Sequence, residues 1–261
     1  MLDAQLSIQD VSVIFRISHG FSRSLVHAVK DLSLSVGKGK TLAIIGESGS
    51  GKTTITNAIL GLVPIASGAI RFGDQDLCNA GQRNFRAKHQ PGIQVVLQDP
   101  MSSFNPRYRL RSSLAMPMRV HGWSDRRARD DRLDALAHRV GMDPQLLEKY
   151  PHQLSGGQLQ RLSIARAISV SPKLIIADEP ASKLDVSVRA QVLNLLKDVI
   201  KESSMAMLLI THDLDVARYL CEDVAVMRFG EVLEQGPTRS VFARPQHEYT
   251  RSLLQSSAGA P

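Results

Sequence analysis

The sequence predicts an α/β protein: a mixed, mostly parallel β-sheet core, an N-terminal antiparallel β part and an inserted α-helical subdomain. Three observations predict it. A glycine loop, "GESGSGKT", lies between an apolar strand and a helix. From about Pro100 to Pro151 the chain is arginine-rich, helical in spacing and poor in β-branched residues. Beyond that stretch, strands and helices alternate again, the pattern of a parallel sheet.

The elements follow in order. "LSIQDVSVIF", "AVKDLSLSV", "TLAIIG", "GAIRFG" and "IQVVLQD" are short apolar or alternating runs bounded by Gly, Asp or Ser, and read as strands. "RISHGFSRSLVH", between the first two, reads as a longer loop. The helix "GKTTITNAILGL" opens at the glycine loop. "RLRSSLAMPMRVHG" and "SDRRARDDRLDALAHRVGM" have helical spacing, and Ser124 reads as the N-cap of the second. Strand "KLIIADE", helix "SVRAQVLNLLKDVIKES", strand "MAMLLITHD", helix "DVARYLC" and the run "DVAVMRFGEVLEQG" complete the core. The last twenty residues predict one short helix and the tail "SSAGAP".

With 261 residues, 43% of them hydrophobic, the chain can bury one large core with an insertion. The longest apolar runs, such as "MAMLLI", fall far short of the roughly 18 to 20 residues that span a bilayer. The start, "MLDAQLSIQDVSV", does not read as a secretory signal. Cys78 and Cys221 lie far apart without metal-like spacing and read as buried or incidental thiols rather than a disulfide or metal pair. A net charge of +7 points to an acidic partner: a nucleotide, a nucleic acid or an anionic membrane face.

"GESGSGKT", Gly46 to Thr53, matches G-x-x-x-x-G-K-[ST] in the context that motif requires. Gly46, Gly49 and Gly51 let the backbone curl so that the N–H groups of Glu47, Ser48, Ser50 and their neighbours face an anion. The helix start at Thr53 and Thr54 adds its partial positive charge. Lys52 supplies a compact charge to the β- and γ-phosphates, and Thr53 a hydroxyl to Mg²⁺. "LIIADE" is the expected companion: Asp178 can hold Mg²⁺ through water, and Glu179 stands where a carboxylate polarises an attacking water. Alone, that stretch reads equally as a buried strand ending in solvated acids. With the loop it indicates a nucleoside triphosphatase, and no guanine-specificity motif accompanies it.

"LSGGQ", Leu154 to Gln158, begins a second helix with Ser155, Gly156 and Gly157. It reads as a plain N-cap or as a second, weaker anion site without lysine. Taken with "GESGSGKT", "LIIADE", "SKLD" and "THD", in that family's order and over nearly the whole chain, it resembles the signature set of the ATP-binding cassette ATPases. The resemblance implies a phosphate-loop ATPase core in two parts, residues 1–98 and 161–240. A helical signature subdomain, 99–160, and a C-terminal helix and tail, 241–261, complete the division.

The resemblance also implies roles. Ser155, Gly156, Gly157 and Gln158 would complete the ATP site of a partner cassette, and Asp185 in "SKLD" would signal across that dimer. Gln98 matches the glutamine that contacts Mg²⁺ and the attacking water and leads into the helical subdomain; His212 matches the histidine that reaches the γ-phosphate. Phe15, ending the first strand, is the chosen ring to stack on adenine, with Phe21 its competitor. Two positions depart from the family pattern: Ala181 and Lys183 stand where it has Thr and Ala. Lys183 puts a charge in the dimer-facing loop, which bears on whether the two cassettes are identical.

"QDPMSSFNPR" and "RPQHEYTRSLLQS" look like the oligopeptide, dipeptide and nickel importer group of that family. The implied function is the ATP-hydrolysing, energy-coupling subunit of a membrane importer, with peptide the first choice of cargo and nickel or another small solute the second. Implied partners are a second ATPase subunit, identical or different, bound head to tail, two transmembrane permease subunits and, indirectly, an extracytoplasmic solute-binding protein. No nucleic-acid partner is expected. The expected location is peripheral, on the cytoplasmic face of the cell (inner) membrane, where Arg126, Arg127, Arg129 and Arg132 would lie near membrane subunits or headgroups, or form a solvated helix face. The rival is a cassette subunit of a soluble, phosphonate-degrading type of enzyme complex. A chromosome-repair ATPase is excluded because the insertion is too short for a long coiled coil.

Overall fold

The computed structural model describes residues 4–19, 22–78 and 92–258. The chain divides into two compact units: Met1–Lys88 with Ala206–Pro261, and His89–Met205.

The first unit contains two sheets. In the antiparallel one, β1 (Ala4–His19) lies between β2 (Ser22–Gly37) and β4 (Ser67–Phe72), with β5 (Gln75–Asp76) beyond β4. In the other, β3 (Thr41–Ile45) runs parallel to β8 (Ala206–Thr211) on one side and β9 (Asp223–Arg228) on the other. The strand β10 (Glu231–Pro237) returns antiparallel along β9 and makes this sheet mixed. Every residue of β3 and β8 is buried. Such unbroken apolar runs belong to parallel strands covered on both faces. Helices α1 (Lys52–Ile59), α6 (Leu214–Leu220), α7 (Thr238–Ala243) and α8 (Glu248–Ala258) belong to this unit.

The second unit pairs β6 (Ile93–Val96) with β7 (Leu174–Asp178) in parallel. Between them run α2 (Leu110–Val120), α3 (Arg126–Arg139) and α4 (Gly156–Ile168), and after β7 comes α5 (Val186–Ser203). Leu110, Leu114 and Met118 of α2 and Leu133 and Leu136 of α3 are fully buried, the i, i+3, i+4 stripe of helices facing a core. An ion cluster ties these helices together: Arg111 donates to Glu148 at 2.5 Å and to Asp134 at 2.9 Å. The Arg111 hydrogen bond holds the Glu148 carboxyl below its ordinary range.

Three local expectations change, and one run gains detail. Residues 16–19 and 22–27, read as loop, continue β1 and β2, with Phe15 paired to Val26 and Arg16 to Leu25. Phe15 is therefore mid-strand rather than at a strand end. Backbone pairing extends the hairpin because the ladder needs no apolar side chains on an open sheet face. Phe21 lies outside the described residues. The α3 cap is Asp125, not Ser124: its Oδ1 accepts from the N–H of Arg127 at 2.9 Å and of Ala128 at 3.4 Å. A carboxylate there also meets the positive end of the helix dipole. "DVAVMRFGEVLEQG" is two strands joined by a tight turn at Phe229 and Gly230. Lastly, α8 begins at Glu248 and takes in Ser256, Ser257 and Ala258 of the expected tail "SSAGAP", and α7 precedes it. No helix among the described residues is long and apolar enough to cross a membrane.

Candidate nucleotide site

Ile45 and Thr211 are register partners at the ends of β3 and β8. The next residues are Gly46, which opens the glycine loop, and His212, which is exposed. Parallel pairing thus brings the loop and the histidine to one sheet edge. Gly51 is the N-cap of α1 at φ 106°, and a Cβ there would lie 2.5 Å from the Ala28 carbonyl oxygen. Only glycine permits both that backbone and that approach. Lys52 folds into the loop at 8% exposure, its Nζ donating to the carbonyls of Gly46 and Glu47, each at 2.7 Å, and to Ser50 Oγ at 3.3 Å. A loop that positions a buried ammonium beside a helix N-terminus fits phosphate oxygens. Ser48, Gly49 and Thr53 are exposed and Thr54 half-buried at the same helix start. Phe15, 38% exposed, pairs with Val26 on β2, two residues before Ala28, whose carbonyl faces Gly51.

The second unit carries the carboxylates. Val96 and Ala177 are register partners on β6 and β7, so Gln98 and Glu179 emerge just beyond neighbouring strand ends. Gln98 Nε2 donates to Glu179 Oε2 at 2.5 Å and to Ser182 Oγ at 3.2 Å. The Ser182 N–H and hydroxyl both donate to the Glu179 carbonyl, at 3.3 and 3.2 Å. Glu179 adopts φ 44°, a left-handed conformation costly for a side chain with a Cβ. Asp178, half-buried, closes β7 one residue earlier. Ser182 is not among the residues that the sequence motifs single out. Its signal was its place in "DEPASKLD", within a turn's reach of the carboxylate.

Ser155 caps α4 in a reciprocal box: its Oγ accepts from the Gln158 N–H at 3.3 Å, and Gln158 Oε1 accepts from the Ser155 N–H at 3.0 Å. The Ser155 hydroxyl proton stays available to donate, since a hydroxyl both accepts and donates. Ser155 and Gly156 are exposed at the helix start, and Gly157 is buried. A Cβ on Gly157 would stand 2.2 Å from Val188 Cγ1 on α5. Overpacking at Gly157→Ala costs about 1–3 kcal/mol, offset in part by the ~1 kcal/mol of helix propensity it gains, so a net destabilisation of up to about 2 kcal/mol is expected. Denaturant unfolding checks this. Val188→Ala in the same chain should restore stability, and a midpoint at or above wild type for Gly157→Ala alone would refute the contact's importance. Asp185 stands exposed at the N-cap position of α5 without a side-chain capping bond. At the departures from the family pattern, Ala181 is buried and Lys183 exposed.

The family model for the ABC transporter matches residues 29–182. The chain is 42% identical over 254 residues to the oligopeptide transport ATP-binding protein AppF of Bacillus subtilis, spanning 96% of this chain and 77% of that one. It is also 42% identical to the oligopeptide transport ATP-binding protein OppF of Lactococcus lactis, spanning 96% and 79%. Among solved structures, the ATP-binding cassette MJ0796, a dimer in a post-hydrolysis state with ADP and phosphate, superposes with a TM-score of 0.80. It is 25% identical, with 90% of this chain and 99% of that one covered. On the signature motifs, the fold and these likenesses together, the chain belongs to the ABC transporter family.

Proposed function

We propose that this chain is the ATP-hydrolysing, energy-coupling subunit of a membrane importer for peptides. The observation that carries this reading is its likeness, over 96% of its length, to chains named oligopeptide transport ATP-binding proteins.

In this reading the loop from Gly46 to Thr54 cradles the phosphates of ATP, its backbone amides from Ser48 onward and the Lys52 ammonium donating to them, and Phe15 stacks on adenine. Thr53, Gln98 and Asp178 are the residues that would hold Mg²⁺, which would supply positive charge to the phosphates when bound. Glu179 accepts a proton from the attacking water, and Gln98, bonded to Glu179, orients both. His212 donates to the γ-phosphate. A second cassette, bound head to tail, presents its copies of Ser155, Gly156, Gly157 and Gln158 to this ATP, with Asp185 at the contact. The helical subdomain, residues 99–160, between core parts 1–98 and 161–240, passes closure to two permease subunits at the cytoplasmic face of the membrane. A solute-binding protein delivers cargo from the other side, and residues 241–261 form the C-terminal helix and tail.

The test is a co-purification. A tagged Glu179→Gln variant is captured from gently solubilised membranes with ATP present. Two multi-span membrane proteins, with or without a second cassette, are expected to come with it. A soluble enzyme set without any membrane protein would overturn the transport reading.

A further inference from the structure

The segment "RPQHEYTRSLLQS" supplies no residue to the nucleotide chemistry above, yet the first unit ties it to the phosphate loop. Glu234 on β10 pins the chain ahead of α8: its carboxylate oxygens accept from the N–H of Gln246 at 2.9 Å and of His247 at 3.1 Å. Burial alone would raise the Glu234 pKa, but these bonds outweigh it and hold the carboxyl below its ordinary range. His247 Nδ1 then accepts from the Tyr249 N–H at 3.1 Å and sets the start of the helix. Tyr249 is 5% exposed, its ring 4.4 Å beneath the Arg228 guanidinium. Its hydroxyl oxygen accepts the backbone N–H of Glu47, the second residue of the glycine loop, at 3.3 Å. The loop is also held at its far side, where the Gly230 N–H donates to the Ser50 carbonyl at 2.9 Å.

We propose that Tyr249 is a positioning residue for nucleotide: by accepting the Glu47 amide, it fixes the entry of the phosphate loop in its anion-binding shape. The inference rests on the reading of Gly46–Thr53 as the phosphate site. A loop of glycines and serines is conformationally loose, and ordering it on binding lowers affinity. A hydroxyl on a buried ring, clamped by a cation above it and anchored by a pinned helix, sets one loop amide beforehand. That amide points to the phenol, so phosphate is left to the donors from Ser48 onward. Burial raises the phenol's pKa and keeps it protonated.

Tyr249→Phe keeps the ring, its burial and its contact with Arg228, and removes only the oxygen. Binding of a fluorescent ATP analogue with Mg²⁺ should weaken by roughly fivefold, the size of one neutral hydrogen bond. KM for ATP should rise by a similar factor, with kcat within about twofold and the melting midpoint near wild type. Hydrogen exchange at the Glu47 amide should accelerate. If wild type binds the analogue and Tyr249→Phe matches it in affinity and in exchange, the positioning role is overturned. A fall in kcat and melting midpoint with unchanged KM would also overturn it, in favour of plain packing. If wild type does not bind the analogue, or Lys52→Ala binds it equally well, the phosphate-loop reading fails first, and this inference with it.

Discussion

Glu179→Gln is expected to lower steady-state ATP hydrolysis by about 100-fold or more, while ATP binding stays near wild type. The substitution is nearly isosteric. The amide oxygen can still accept from Gln98 Nε2, which meets the carboxylate at 2.5 Å, and the Ser182 bonds to the residue 179 carbonyl do not involve the side chain. The left-handed backbone at Glu179 should therefore persist. What is lost is the proton acceptor. A carboxylate can take the proton of an attacking water as its oxygen bonds to phosphorus, and a carboxamide cannot. Phosphate release under saturating ATP, measured beside equilibrium binding, separates the two effects. Hydrolysis at the wild-type rate would move the general base away from Glu179.

Much of this site is local, and local features were legible. "GESGSGKT" fixes the order of glycines, lysine and threonine, and a strand before it with a helix after it can be read from a few neighbours. The unbroken apolar runs of β3 and β8 carry their own burial pattern. The hairpin beyond Phe15 was not legible, because its backbone pairs while its sequence, rich in Ser and Arg, looks like a turn. Ser124 and Asp125 are both good capping residues in adjacent places, and only the hydrogen bonds to Arg127 and Ala128 decide between them. Contacts between distant residues were hidden for a different reason. Gln98 and Glu179 lie 81 residues apart, and family resemblance named both without placing them in contact. Tyr249 lies 202 residues from Glu47, and no pattern within the sequence marks a phenol as the partner of a backbone amide that far away.

Lys52→Ala should produce the opposite division of effects: ATP affinity falls by about 100-fold, and the fold survives. Charge-assisted hydrogen bonds contribute about 1.5–3 kcal/mol each, so losing one or two to phosphate oxygens accounts for a change of that size. Stability should change little. At 8% exposure the ammonium is held by two carbonyls and a hydroxyl, so its bonds are offset by the desolvation of its charge. Water can satisfy those oxygens when the side chain is gone. Lys52→Arg should not rescue binding, because a planar guanidinium cannot enter a pocket whose three acceptors converge on one compact nitrogen. Titration with a fluorescent ATP analogue, paired with thermal unfolding, measures both quantities on the same sample. Affinity within about threefold of wild type for Lys52→Ala would remove the lysine from phosphate binding. A collapsed melting midpoint would instead make it a structural cation, tying the loop together through its own carbonyls.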